Sequence, residues 1–249
     1  MGIINKIMAT VGIGNVSVDT VIENPSVTAG GEVRGSITIK GGKAPQKVEE
    51  IYLYVMTKVE RETNKMKIVG REKIQKVAVP VGRTIAPGET LNLPFSFMLS
   101  RQTPFTTLKT PVWIHTGLDI KSAMDPKDND SLKVAAGQYL QAVLNAFERL
   151  DLVIYRVVNI EDLYYSNMTF LQEIEFRPTG AYKYELNYVK LMYVLHEASI
   201  ELIMEVNKSS DDMDIEDQKT RFYIEYADLK SSDPFEISQI IKRKIEKTY

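Results

Sequence analysis

Cysteine is absent from this 249-residue chain. That absence excludes disulfide bridges, thiolate metal sites and cysteine nucleophiles together, and it fits a reducing compartment. Histidine is nearly as scarce, with His115 and His196 as the two examples. A Ser-His-Asp hydrolase needs its nucleophile on an exposed elbow, and no Gly-x-Ser-x-Gly occurs. No apolar run approaches the length needed to span a bilayer. Charge of one sign is also lacking: 31 Lys plus Arg against 33 Asp plus Glu leave a formal net charge of −2. Such a balance offers no broad field to attract nucleic acid or an anionic membrane surface. The opening residues lack the apolar core of a signal peptide, and Lys6 stands where an acylation signal requires Ser or Thr. These absences set the expectation of a cytoplasmic protein with no cofactor.

What is present suffices for a folded protein. At 44% hydrophobic and 26% charged, the chain can bury enough apolar surface to offset ordering entropy. Its length allows one large domain or two ordinary ones. Ile3, Ile4, Ile7, Met8 and Val11 follow helical spacing, which predicts a short docked helix, with a weak membrane anchor as the alternative. Alternation then dominates. Val33, Ile37 and Ile39 share one side of a strand, and Ile51, Leu53, Val55 and Val59 mark a long one. A turn near Thr63-Asn64 reverses that strand into Lys67–Val79 as a hairpin. Ala86-Pro-Gly-Glu89 reads as a tight turn, with proline fixing φ and glycine supplying a positive one. Leu91, Leu93, Phe95 and Phe97 alternate next, and Pro94 among them marks an edge or a bulge.

The stretch 111–134 is the pivot. Val112, Ile114, Leu118 and Ile120 share one parity, a strand with a buried face. Asp125-Pro-Lys-Asp-Asn-Asp130 reads as a break in regular structure, so the stretch is expected to end one sandwich and cross into the next. From Gly137 the period becomes helical, with Leu140, Val143, Leu144 and Phe147 on one face. Strands return at Leu152–Val158, Gln172–Arg177 and Tyr184–Leu195. In the next, Ile200, Leu202, Met204 and Val206 face inward against outward Glu201 and Glu205. Asn207–Gln218 is acidic and aperiodic, a solvated loop, and Phe222, Ile224 and Tyr226 follow on another strand. Asp233, Pro234 and Glu236 then open a closing helix with an Ile237, Ile240, Ile241 and Ile245 stripe.

Several pieces together resemble the bacterial and archaeal sporulation-control family. They are Val11-Gly-Ile-Gly14, Gly31-Glu-Val-Arg-Gly35, Ala86-Pro-Gly-Glu89 leading to Pro94-Phe-Ser-Phe97, and Leu118-Asp-Ile120 with Asp125-Pro126 and Asp128. Phe170-Leu-Gln-Glu-Ile-Glu-Phe-Arg-Pro178 and Glu201-Leu-Ile-Met-Glu205 extend the similarity almost end to end. Ala29-Gly30-Gly31-Glu32 departs from the family's usual Pro-Gly-Glu, although glycine still turns the chain. The resemblance implies a mainly β chain of two tandem antiparallel β-sandwiches, arrestin-like, with a few short helices. The expected division is 1–134 for the N-terminal sandwich and 135–249 for the C-terminal one with its leading and closing helices. It also implies a non-enzymatic regulatory or scaffold protein of early sporulation that acts through other proteins. A homodimer through an exposed strand edge is one form of that.

Among chemical groups, Asp119, Asp125, Asp128 and Asp130 are the cluster to weigh. Three readings stand: capping of turns and strand ends, an interdomain or interaction contact with an arginine such as Arg34 or Arg177, and calcium or small-ligand binding. The spacing fails the EF-hand pattern, with neither the turn glycine nor the distant glutamate. Tyr182, Tyr184, Tyr188 and Tyr193 suit strands or, gathered on one face, a protein interface. Lys242-Arg-Lys244 and Lys247 suit the C-terminal end of a helix dipole. The glycine pairs Gly30–Gly31 and Gly41–Gly42 precede no helix, which removes a phosphate cradle.

Overall fold

The computed structural model describes residues 16–63, 66–118, 127–162, 165, 168–209, 218–231 and 233–247. The expected helix over residues 3–11, Asp119, Asp125 and most of the acidic 207–218 loop lie outside the described residues. The chain divides into two compact units. One comprises Met1–Thr57, Arg71–Thr106 and Pro111–Ala135; the other comprises Lys58–Gly70, Thr107–Thr110 and Ala136–Tyr249.

The strands of the first unit are β1 (Ser17–Ile22), β2 (Ser26–Thr28), β3 (Glu32–Lys40), β4 (Gln46–Thr63), β5 (Met66–Ile85), β6 (Thr90–Met98), β7 (Val112–Leu118) and β8 (Lys127–Ala135), with the turn-proximal ends of β4 and β5 belonging to the second unit. A three-stranded antiparallel sheet runs in the order β1-β3-β6. The facing sheet carries β4, β7, β8 and β2 in that order, with β5 also paired to β4. All these pairings are antiparallel where their register is defined, except that β2 lies parallel to β8. Strict alternation makes the two layers. Val33, Ile37 and Ile39 of β3 and Phe95 and Phe97 of β6 meet Ile51, Leu53 and Val55 of β4, Ile114 of β7 and Leu132 of β8 in one buried cluster. Each such side chain contributes about 1.5–3 kcal/mol by leaving water. Pro94 sits opposite Ser36 on an edge strand, where a missing N–H costs little.

The turn at Ala86–Glu89 forms as its residues demand. Gly88 holds φ at 71°, and Ala86 N donates to Glu89 Oε2 at 2.8 Å. Gly41 N donates to Glu89 O at 2.7 Å, and a Cβ on Gly41 would collide with the Ala86 carbonyl. One expectation is corrected here. The stretch through Asp130 is not the crossing between units: β8 starts at Lys127 and pairs with β7 from Gly117↔Lys127 to Val112↔Leu132. A polar sequence makes a stable strand there because its apolar residues, Leu132 and Val134, take the inward positions.

The second unit contains α1 (Gln138–Glu148), β9 (Leu152–Glu161), β10 (Phe170–Pro178), β11 (Leu186–Leu195), β12 (Ser199–Lys208), β13 (Gln218–Glu225), α2 (Tyr226–Ser231) and α3 (Pro234–Glu246). The strands form an antiparallel meander in chain order, β9 to β13. Helix α1 packs on α3 and on the sheet, with Phe147 stacked on Phe176 at 4.4 Å between ring centroids. Asp233 caps α3 by accepting from Phe235 N at 2.9 Å, and Ile237, Ile241 and Ile245 are buried along one stripe. The chain as a whole is mainly β, sandwich-like and antiparallel, with a few short helices.

Candidate functional site

Alternation along β12 predicts one solvated face, and the structure differs. Glu201 is 1% exposed and Glu205 is 7% exposed, so both faces of the strand are buried. Register explains how carboxylates are tolerated there. Arg156 lies opposite Glu175, Glu175 opposite Lys190, Lys190 opposite Glu205, and Glu205 opposite Lys219. Opposite charges therefore face each other across four strand pairings, the arrangement that stabilises a sheet surface. Lys190 Nζ donates to Glu205 Oε1 at 2.9 Å, and Lys219 Nζ lies 3.4 Å from Glu205 Oε2. Burial pulls the Lys190 pKa down, but the hydrogen bond and charge of Glu205 outweigh it and hold it above the usual lysine value.

Next to this ladder lies a cleft of about 330 Å³ with Val158 and Ile160 among its apolar walls. Its charges are largely paired: Arg156 Nη2 donates to Glu60 Oε2 at 2.7 Å, and Arg61 Nε donates to Glu161 Oε1 at 3.2 Å. Glu173 also lines it, and burial holds its carboxyl above the usual carboxylate range although Lys190 and Arg156 pull it down. Arg156 Nε is buried without a hydrogen-bond partner among the described residues. The cleft is lined by paired charges and the desolvated Glu173 carboxyl, which suits hydrogen bonding more than bond making.

The Glu201 carboxylate gathers donors from three elements. Tyr165 O–H donates to Oε1 at 2.6 Å, His196 Nε2 lies 2.8 Å from Oε2, and Arg221 Nε lies 3.2 Å from Oε1. Burial opposes the charge, but hydrogen bonds from Tyr165, His196 and Tyr223 outweigh it, so the Glu201 carboxyl sits below the usual range. Tyr165 is driven well above the usual tyrosine value, first by burial and then by Glu201. Tyr165 and Met168 pack over Leu171, Met192, Val194 and Ile203 on the same sheet face. The carboxylate thus pins the segment between β9 and β10 over an apolar patch.

The residues singled out from sequence fall elsewhere. Asp128 Oδ2 accepts from Thr20 N at 2.7 Å and its Oδ1 from Asn129 N at 2.9 Å, so both oxygens serve backbone N–H groups. Asp130, half-buried, stands opposite Ile114 in the β7–β8 register. Among the described residues, no group of three or more His, Asp or Glu side chains is placed to hold a metal ion. Arg34 Nη1 lies 3.4 Å from Glu32 Oε2. Arg177 Nη2 lies 2.7 Å from Glu175 Oε1, an ion pair without hydrogen-bond alignment. His115 shares a hydrogen bond with Asn129 Oδ1 at 2.9 Å and stacks near Tyr54. The tyrosines do not share a face. Tyr182 and Tyr184 occupy turns before β11, and Tyr182 and Tyr193 are buried while Tyr184 is 83% exposed. Sequence reasoning missed Glu201, Tyr165, Glu173 and Arg156. The signal available was the opposed charge on successive strands, Glu173 and Glu175, then Lys190, then Glu201 and Glu205, then Lys219 and Arg221.

Comparison with known proteins bears on the whole chain. The family model described as SpoOM protein matches residues 4–210. The sporulation-control protein spo0M of Bacillus subtilis (strain 168) is 34% identical over 215 residues, which span 84% of this chain and 81% of that protein. The crystal structure of the sporulation control protein from Bacillus subtilis superposes with a TM-score of 0.85 at 28% identity, covering 95% of this chain and all (100%) of that one. With a family model across most of its length and a relative of this identity and coverage, the chain belongs to the SpoOM protein family.

Proposed function

We propose that this chain is a regulator of sporulation that makes and breaks no bond and works by holding other proteins. Family membership across residues 4–210 is the observation that carries this reading, because the Bacillus subtilis relative is named for sporulation control. The architecture supports it. Layered antiparallel sheets leave β1 and β6 at the edges of one sheet and β13 at the end of another. An edge strand offers aligned main-chain donors and acceptors, so an added strand from a partner or a second copy gains hydrogen bonds at small ordering cost. An arrestin-like pair of sandwiches is the form in which we read this scaffold, with the last passage from the first unit to the second after Ala135. A cytoplasmic location fits the reading, and among the described residues no helix is long and apolar enough to cross a membrane. The calcium alternative gains nothing from Asp128, whose oxygens are already engaged by Thr20 and Asn129.

Expression in a Bacillus subtilis strain lacking its own sporulation-control protein tests the proposal, scored by the yield of heat-resistant spores. Restoration toward the parental yield is expected. A yield equal to that of an empty vector, with the protein present and folded, would overturn it.

A further inference from the structure

The outward face of the first unit's second sheet gathers aromatic rings and lysines. Tyr52 and Tyr54 of β4 lie with ring centroids 6.0 Å apart, and His115 of β7 stacks near Tyr54 at 6.2 Å. Trp113, the single tryptophan, has the parity of His115 and stands opposite Met56. Above these rings lie two lysines of β5. Lys76 Nζ is 3.6 Å from the Tyr52 centroid, and Lys73 Nζ is 5.7 Å from that of Tyr54. Both lysines are exposed, and neither has a carboxylate within ion-pair distance among the described residues. Exposed Lys133 of β8 shares the outward parity of Asn129, the partner of His115. Two carboxylates of this sheet are engaged elsewhere: Glu50 accepts from the Tyr52 hydroxyl at 2.5 Å, and Asp128 accepts from Thr20 N. A chain with a net charge of −2 therefore carries a cationic, aromatic sheet face on which the Lys73 and Lys76 ammonium groups meet rings and, among the described residues, no carboxylate within ion-pair distance.

We propose that this face docks an acidic linear segment of a partner protein. The proposal rests on the protein-binding reading above and names the chemistry of the partner. Aspartate and glutamate side chains would reach Lys73, Lys76 and Lys133, and intervening apolar side chains would lie on Tyr52, Tyr54 and Trp113. Three inter-strand steps separate β5 from β8, about 14 Å at the usual strand spacing. Lys133 also lies four residues along β8 from Asn129, about 13 Å, so the diagonal is about 19 Å. An extended peptide covers that distance in about six residues, so acidic groups about six apart bridge both lysine sets. Rings supply area at low entropic cost, while the lysines select for charge.

The test uses the full chain and a fluorescein-labelled peptide, Asp-Asp-Met-Asp-Ile-Glu-Asp, the sequence at residues 211–217, read by fluorescence anisotropy. The same peptide with Asn and Gln replacing the acids is the control. The acidic peptide is expected to bind, to weaken with added salt, and to lose about tenfold in affinity against the Lys73→Glu/Lys76→Glu variant. The Lys73→Gln/Lys76→Gln variant should lose less, and unchanged thermal melting of both establishes that they fold. Equal binding of the acidic and amide peptides, or of wild type and the charge-reversed variant, overturns the proposal. Tighter binding of a single-stranded oligonucleotide or of phosphatidylglycerol vesicles at equal salt also overturns it, because it reassigns the surface. In-cell crosslinking separates this failure from the broader one. Protein crosslinks that survive Lys73→Glu/Lys76→Glu sink the docking face alone, whereas their absence from wild type sinks the protein-binding reading as well.

Discussion

Replacing Glu201 by Gln removes one carboxylate that Tyr165, His196, Tyr223 and Arg221 share. Its oxygens receive Tyr165 O–H at 2.6 Å and His196 Nε2 at 2.8 Å, with the side chain 1% exposed. A hydrogen bond to a charged group contributes about 1.5–3 kcal/mol, and glutamine retains one acceptor. The variant therefore loses one strong bond outright, turns an N–H toward a donor, and weakens the other bond. Arg221 adds little to the sum, since its side chain is 49% exposed and water replaces the pairing. The expected cost is about 2–3 kcal/mol, which lowers the unfolding midpoint of the second unit by roughly 5–10 °C. Urea and thermal unfolding followed by near-ultraviolet circular dichroism measure it. The sign with pH follows from the lowered Glu201 pKa. Its contribution is present above the ordinary glutamate value and disappears as pH falls through the lower folded-state value, whereas the Gln variant stays flat in that acid window. Tyr165→Phe in the same background completes a double-mutant cycle. A cost below about 0.5 kcal/mol, or strict additivity of the two changes, would refute the idea that this carboxylate pins the segment before β10.

Glu173→Gln should act in the opposite direction. Burial raises the Glu173 carboxyl pKa, so its ionisation costs stability above that raised value. The variant should be more stable than wild type at neutral pH, with the gain fading as pH falls through the raised value and absent once pH is below the ordinary carboxylate range; a loss at neutral pH would contradict the burial argument. Phe147→Ala removes the ring stacked on Phe176 at 4.4 Å and should cost about 3–5 kcal/mol by chemical denaturation, with less than about 1 kcal/mol excluding its place in the core. Asp128→Ala strips the acceptor from Thr20 N and should cost about 1–2 kcal/mol, while added calcium leaves wild-type melting unchanged. A melting shift with calcium beyond that of matched salt would return weight to the metal reading.

The sequence was most informative where one physical rule acts alone. Alternation in β3, β4 and β6 made the first core legible, because a sheet buried on one face writes its pattern directly. Proline at position 94 marked an edge, and Asp233 with Pro234 marked the start of α3, since each is a local backbone constraint. The stretch after Asp125 was misread because polarity and proline suggest a turn, while pairing with β7 is decided at long range. The interleaved units were not legible either: β4 and β5 are long, and nothing in composition marks Thr57 or Gly70 as a boundary. Glu201 looked like a solvated strand residue. Its burial depends on Tyr165 and His196 arriving from other segments, a coincidence that periodicity cannot show.

Crosslinking in sporulating cells, followed by mass spectrometry, addresses the central claim most directly. Reproducible links from lysines on this chain's sheet faces and strand edges to a small set of other proteins are expected. A chain that is abundant and folded yet joins to none of them, while the purified protein turns over a small molecule, would contradict it.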